Sequence, residues 1–121
     1  MSDSDIKQLI NQLVAFRDER DWKQFHNPKD LAAALSIEAA ELQELFLWKQ
    51  PGDLNLDSDK QRLRIEEEVA DIASFLLLLC NEMQIDLADA LERKIAHNAG
   101  KYPAETVRGS SKKYNEYSEE A

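Results

Sequence analysis

The sequence predicts an all-α fold, a bundle of four to five helices. Apolar residues recur at three- and four-residue intervals through most of the 121 residues, as they do on one face of an amphipathic helix. The chain holds only 3 Gly and 3 Pro, the residues that most often interrupt helices. Polar breaks that carry helix-start residues separate the periodic segments. One domain over residues 1–121 accounts for this pattern.

Two helices are predicted in the first half of the chain. The first runs over residues 4–20 and is followed by a polar break at residues 21–27. Asn27 predicts an N-cap, because Pro28 takes the first helical position and Asp30 lies three residues after the cap. The second helix extends to about Lys49 and ends before the Pro51-Gly52 pair.

A third helix is predicted over residues 60–83, capped by Ser58 or Asp59. It is apolar on two sides, and a helix of this kind is buried on both. The second side carries Val69, Ala73, Leu77 and Cys80. We expect this side to contact another subunit.

Asp86 and Asp89 predict the cap of a fourth helix over residues 87–100. Residues 104–121 are polar, and we expect a C-terminal arm or a partly disordered tail there. Whether this arm completes a neighbouring subunit's site is left open.

Composition excludes several partner classes. A formal net charge of −9 and a pI near 4.7 argue against binding to nucleic-acid polymers or anionic membranes. A small anionic ligand remains compatible, because a bound metal reverses the local sign of charge. The single cysteine, Cys80, lies in an apolar run and is expected to be a buried thiol. The acidic N-terminus does not resemble a signal peptide, and residues 75–80 are too short a run to span a bilayer. We expect a soluble cytoplasmic protein.

Two pairs of acids lie inside apolar stripes. Glu38 and Glu41 share one stripe of the second helix, and Glu68 and Asp71 share one of the third. A spacing of three places both acids of a pair on one helix face. Burying unpaired carboxylates costs several kcal/mol or more, so a cation is expected beside them.

Oxygen ligands favour Mg²⁺, with Mn²⁺ as a substitute. The number of ions is left open. The alternative is that the four acids lie on the surface. A ferritin-like di-iron site is excluded, because neither His26 nor His97 follows a glutamate by three residues.

A cationic stretch ends the fourth helix. Lys94, Asn98 and Lys101 continue the stripe begun by Leu87 and Leu91. Two lysines and an amide are suited to a polyphosphate. The alternative is a solvated helix end, where lysine interacts favourably with the helix dipole.

Aromatic residues form a third candidate group. Flat rings beside a metal-phosphate site suggest a slot for a nucleobase. Core packing is the alternative for the rings, and a local cap is the alternative for His26. His97 is expected on the surface. The group comprises Trp22, Phe25, His26 and Trp48.

The acidic pairs and several flanking segments together resemble the MazG-like all-α nucleoside triphosphate pyrophosphohydrolases, and among them the dCTP pyrophosphatase branch. The resemblance covers nearly the whole chain. The segments, in order, are Asp21 to His26, Glu38-x-x-Glu41, Glu44 to Trp48, Glu68-x-x-Asp71, Lys94 to Asn98, Lys101-Tyr102-Pro103 and Ser110 to Tyr114.

This resemblance implies Mg²⁺-dependent hydrolysis of a (deoxy)nucleoside triphosphate to the monophosphate and pyrophosphate, in nucleotide-pool housecleaning. Pyrimidine deoxynucleotides such as dCTP or modified analogues are the implied substrates. The resemblance also implies a tetramer built from two tight dimers, which agrees with the two-sided third helix. The implied metal ligands are Glu38, Glu41, Glu68 and Asp71, with Glu41 also orienting or deprotonating the attacking water and Glu38 supporting it. The implied substrate-binding residues are Trp22, His26, Trp48, Phe75, Lys94, Asn98, Lys101 and Tyr102.

Two positions depart from the branch. Leu13 and Phe75 stand where the mammalian enzymes carry a histidine and a tyrosine, so strict cytosine preference is not implied. The role of Glu44 is left open. Two other hypotheses are compatible with the residues: a helical sensor that binds a metal-nucleotide complex without hydrolysing it, and a purely structural oligomeric bundle.

Overall fold

The computed structural model describes residues 3–50 and 59–112, and every regular element in these ranges is helical. The all-α prediction is therefore confirmed. None of these helices is long and apolar enough to cross a membrane. The elements are α1 (Asp3–Glu19), a 3₁₀ turn (Lys23–Phe25), α2 (Pro28–Glu44), α3 (Asp59–Met83), α4 (Leu87–Lys101) and α5 (Ala104–Val107).

The chain divides into two compact units, residues 1–85 and residues 86–121. In the first unit α3 packs against α2 and against α1. Its core is small, and the apolar side chains buried within the described residues are Leu31, Leu77, Leu78 and Cys80. The expected burial of Cys80 is confirmed, and burial raises the pKa of its thiol. The single-domain assignment stays a prediction.

The start of α2 is as predicted, whereas its end is not. The Asn27 side chain accepts a hydrogen bond from the backbone N–H of Asp30 at 2.9 Å, and Pro28 opens the helix. The helix ends at Glu44, five residues before the predicted Lys49. Tight turns follow, in which backbone N–H groups bond to carbonyls three residues back. Trp48 then takes a left-handed backbone with φ of 66°, which a right-handed helix does not contain.

An ion pair joins α1 to α3. The Arg17 guanidinium donates from Nη1 to Glu82 Oε1 at 3.4 Å and from Nε to Asp18 Oδ1 at 2.9 Å. Arg17 is 4% exposed and is the buried charged residue of the described chain. Asp21, with φ of 55°, turns the chain out of α1 toward the 3₁₀ turn.

The second unit begins with the predicted cap. Asp86 accepts a hydrogen bond from the backbone N–H of Asp89 at 3.1 Å, and α4 follows at Leu87. Residues 91–100 of this helix are exposed. The short helix α5 follows Pro103. The proposed Ser58 cap and the tail from residue 113 lie outside the described residues, and Asp59 is the first residue of α3 rather than its cap.

Candidate active site

Carboxylates from α2 and α3 meet across the interface between these two helices. One carboxylate oxygen from each of Glu38, Glu41 and Glu68 lies within 4.8 Å of the other two. Glu38 and Glu41 lie about one turn apart on α2, and Glu68 comes from α3. Two helices thus bring together acids that are 30 residues or fewer apart in sequence. Three oxygen donors this close form a set to which a divalent cation could bind.

Two of these carboxylates have a buried oxygen without a partner. Glu38 Oε2 and Glu68 Oε2 are inaccessible to solvent and accept no hydrogen bond from the described residues. An ionised carboxylate in this position is costly unless a cation or a proton neutralises it. The donor set and its orphaned oxygens therefore fit a bound divalent metal.

The pKa values of the same groups report the excess negative charge. Burial, as the largest cause, and the neighbouring carboxyl groups of Glu41, Glu68 and Asp71 together raise the pKa of Glu38 from 4.5 to about 7. Burial also raises the pKa of Glu68, and the charges of Glu41 and Asp71 add to that rise. A cation bound among these groups would reverse the effect of their mutual repulsion.

The expected burial of all four acids is correct for half of them. Glu38 and Glu68 are half-buried, whereas Glu41 and Asp71 are exposed. Three residues rotate a helix position by about 300°, which leaves the second acid of each pair roughly 60° away from the first. Only Glu38 and Glu68 therefore face the interface directly. Asp71 is not among the three close carboxylates, although its charge acts on both half-buried acids.

A largely apolar cavity adjoins the acids. Its volume is about 390 Å³. Asp71 lies in its wall, and the same carboxylate raises the pKa values of Glu38 and Glu68, so the cavity and the acidic cluster are neighbours. Three residues expected near a nucleobase, Trp22, His26 and Phe75, lie in this wall. The full lining is Leu13, Phe16, Arg17, Trp22, His26, Asp71, Ser74, Phe75 and Leu78.

The other two aromatic candidates lie elsewhere. Trp48 is 92% exposed and Phe25 is 63% exposed, and neither lines the cavity. Core packing, the alternative for these rings, is therefore wrong for both. Trp48 follows the early end of α2, where left-handed backbone turns its side chain toward solvent. Substrate binding by Trp48 stays a prediction.

Arg17 is the cavity residue that the sequence reasoning missed. The signal was present, because Arg17 continues the stripe of Ile6, Ile10 and Leu13 at intervals of three and four residues. A charged residue on an apolar stripe is the same pattern that singled out the acids. Its partner Glu82 lies 65 residues away and was not predictable from local spacing.

The cationic group of α4 belongs to the second unit. Lys94 and Asn98 are exposed, and Lys101 and Tyr102 are half-buried. Lys94, Asn98 and Lys101 follow at intervals of four and three residues, so they share one face of α4. His97 is exposed, as expected.

Residues 33–117 match the family model described as the MazG-like family, a span that includes the acids of α2 and α3 and the cations of α4. The chain belongs to the MazG-like family. The resemblance inferred from the acidic pairs is thereby confirmed.

Two mammalian proteins and a solved structure are similar to this chain. Human dCTP pyrophosphatase 1 is 40% identical over 114 residues, which cover 93% of this chain and 65% of the human protein. The bovine protein of the same name is 39% identical over 115 residues, 93% of this chain and 66% of that protein. The chain thus spans just under two thirds of the length of these relatives. The crystal structure of a pyrophosphatase from Archaeoglobus fulgidus superposes with a TM-score of 0.74 at 40% identity and covers 80% of this chain and 91% of its own.

Proposed function

We propose that this MazG-like chain hydrolyses (deoxy)nucleoside triphosphates to the monophosphate and pyrophosphate, as a housecleaning enzyme of the nucleotide pool. The observation that supports this proposal most directly is the group of three carboxylates within 4.8 Å of one another, two of which have a buried oxygen without a partner. This group lies beside a cavity whose wall contains aromatic rings. A metal-bound triphosphate and a nucleobase are the ligands that this pairing suits. The names of the human and bovine relatives support the same reaction.

The acids Glu38, Glu41 and Glu68 would hold Mg²⁺, with Mn²⁺ as a substitute and Asp71 as a further ligand. Oxygen donors alone favour these hard cations. When bound, the metal neutralises charge on the phosphates and acidifies a water molecule.

Glu41 is the acid proposed to orient the attacking water and accept its proton, supported by Glu38. Glu41 is exposed, so its carboxylate is accessible to solvent, whereas Glu38 and Glu68 each have one oxygen turned away from it. The water oxygen attacks the α-phosphorus, the bond from that phosphorus to the bridging oxygen breaks, and pyrophosphate leaves. In-line displacement of this kind depends on positioning and charge neutralisation.

The remaining substrate residues fall into two groups. Trp22, His26 and Phe75 would contact the base, since stacking on aromatic rings accepts any base. Trp48 would border it from outside the cavity. Lys94, Asn98, Lys101 and Tyr102 on α4 and just after it would bind sugar and phosphates, with the lysines stabilising the departing pyrophosphate. Pyrimidine deoxynucleotides such as dCTP or modified analogues are the proposed substrates.

A homo-oligomer is part of this proposal. An apolar groove of about 480 Å³ lies along the part of the second side of α3 that carries Val69 and Ala73, and Val69 is 49% exposed. Leu77 and Cys80 of the same side are buried within the chain and are not available to another subunit. A second apolar cavity of about 410 Å³ shares Ala70 and Ala73 with the groove. The small buried core of the described residues makes a dimer, or a tetramer of two dimers, a reasonable source of further apolar burial. Cytoplasmic location stays a prediction.

The test is pyrophosphate release with Mg²⁺ across a panel of canonical and modified nucleoside triphosphates. Glu41→Gln should lower turnover by about 10²- to 10⁴-fold, the usual contribution of a general base, with the fold retained. Glu67→Gln is the matched control, because Glu67 is exposed and lies outside the carboxylate group.

Release of inorganic phosphate instead of pyrophosphate would place the attack at the γ-phosphorus and overturn the proposal. Nucleotide binding without turnover would favour the sensor, which uses the same residues. If the protein neither binds nor hydrolyses any nucleotide, the structural bundle is the remaining explanation.

A further inference from the structure

The buried arginine at the cavity wall has donor capacity beyond its ion pairs. Asp18 accepts from Nε of Arg17, and Glu82 accepts from Nη1. Neither carboxylate accepts a hydrogen bond from Nη2 of Arg17. The two acids offset the charge of the guanidinium, which reduces the cost of burying it. They also hold its plane in one orientation, so the remaining N–H groups have a defined direction.

The rest of the cavity offers few polar groups that are free to bind a ligand. Four lining side chains are hydrocarbon, Trp22 adds one indole N–H, and the Ser74 hydroxyl donates to the Ala70 carbonyl at 2.9 Å. Asp71 stands at the acidic side. His26 Nδ1 is buried and without a hydrogen-bond partner among the described residues. Trp22 and Asp71 are exposed, so Arg17 and the buried Nδ1 of His26 are the shielded groups of this lining whose hydrogen-bonding capacity remains for the edge of a bound base.

We propose that Arg17 is a specificity-determining residue that donates to a ring carbonyl of the nucleobase, with His26 Nδ1 bonding to the adjoining atom of the same edge. This inference rests on the proposed function. Arginine has donors and no acceptor, so its partner must be an acceptor. Cytosine, uracil, thymine and guanine carry a carbonyl oxygen, and adenine carries none. The site thus prefers nucleotides with a carbonyl-bearing base and selects against adenine nucleotides.

A purely structural role is the competing explanation. Arg17 joins α1 to α3 through its ion pair with Glu82. Removal of either residue alone would leave the charge of the other without this partner and would destabilise the chain. A loss of stability alone therefore does not discriminate between the two roles. The base dependence of the effect does, because a structural defect has no reason to distinguish cytosine from adenine.

The experiment compares kcat/KM for dCTP, dUTP and dATP in the wild type and in the double variant Arg17→Met/Glu82→Met. Replacing Arg17 and Glu82 together avoids an orphaned buried charge and preserves the fold, because the remaining partner Asp18 is 52% exposed and stays solvated. We expect kcat/KM for dCTP and dUTP to fall by about 10- to 100-fold, the range for a hydrogen bond to a charged group. The value for dATP should change by less than about threefold.

Three single variants sharpen the result. Arg17→Lys keeps the charge but loses the planar fork, so it should show the same base-dependent loss. Arg20→Met removes the same type of side chain just beyond α1, and because Arg20 does not line the cavity the base preference should persist. His26→Ala should narrow the difference between dCTP and dATP in the same direction as the Arg17 variants.

An equal loss for all three nucleotides, or no loss for any, would overturn the assignment of Arg17. If the wild type releases no pyrophosphate from any nucleotide, the proposed function fails separately, and Kd values measured by calorimetry with Mg²⁺ decide the inference. A dCTP-over-dATP preference in binding that the double variant loses would support it. Equal binding of the two nucleotides, or no binding, would reject it.

Discussion

The two sides of α3 depart from an ordinary helix surface in opposite ways. Toward α2, the helix presents Glu68, a half-buried acid with one oxygen that lacks a partner. On the other side it presents an open apolar groove that contains Val69 and Ala73. Charge is thus withdrawn from water on one side, and apolar surface is left in water on the other. The first arrangement requires a cation or a proton to neutralise the buried oxygen, and the second is typical of a surface that binds another protein.

The largest expected effect is on the apolar side. Ala73 lies in both apolar cavities, so Ala73→Glu would bury an unpaired carboxylate in a subunit interface there, at a cost of several kcal/mol. We expect the variant to be a monomer by light scattering at concentrations where the wild type is an oligomer. Glutamate is a good helix former, so α3 should remain intact by circular dichroism.

Ser36→Glu is the control for this change, because it adds the same charge at an exposed position of α2 outside both cavities. It should keep the oligomer. A wild type that is monomeric at micromolar concentration, or an Ala73→Glu variant that still assembles, would show that the groove is not an interface between copies.

A smaller effect, on kcat/KM, is expected at the cavity that adjoins the acidic side of α3. Trp22 lines the cavity and is 44% exposed, whereas Trp48 lies outside the cavity and is 92% exposed. Loss of a ring that stacks on a base costs about 1–3 kcal/mol, so Trp22→Ala should lower kcat/KM by roughly 5- to 100-fold. Trp48→Ala is the paired measurement. A loss as large as that of Trp22→Ala would extend the base site beyond the cavity of the first unit, and an unchanged value for Trp22→Ala would contradict base binding there.

The smallest expected effect is on the pH dependence of Tm, measured in the presence of a chelator so that no metal is bound. The folded protein holds a proton on Glu38 up to a pKa of about 7, whereas the ordinary value is 4.5. Between these pH values the folded state binds more protons than the unfolded state, so stability falls as pH rises through this window. We expect Tm to drop by roughly a few degrees from pH 5 to pH 7.5.

Glu38→Gln should flatten this dependence, since it removes the titrating group, while Glu67→Gln should preserve it. Mg²⁺ should raise Tm most at the upper end of the window, where the carboxylates are ionised. A Tm that rises with pH in the absence of metal would contradict the raised pKa of Glu38 and, with it, the contrast between the two sides of α3.

Much of the fold was predictable because its signals are local. The all-α class follows from helical periodicity, and the starts of α2 and α4 follow from Asn27 and Asp86, whose side chains bond to backbone N–H groups three residues on. The family was also accessible, because the acidic pairs and their flanking segments occur in a fixed order along the chain. These features depend on spacing within one helix or turn.

The tertiary structure alone decided which side chains meet. Periodicity placed Glu38 and Glu41 on one stripe, but the contact between α2 and α3 half-buried Glu38 and left Glu41 exposed, because the two positions differ by about 60° around the helix. The early end of α2 directed Trp48 to solvent, and a partner 65 residues away held Arg17 in the cavity wall. Spacing along one helix specifies which residues share a face, whereas the side chains that this face contacts depend on how the helices pack.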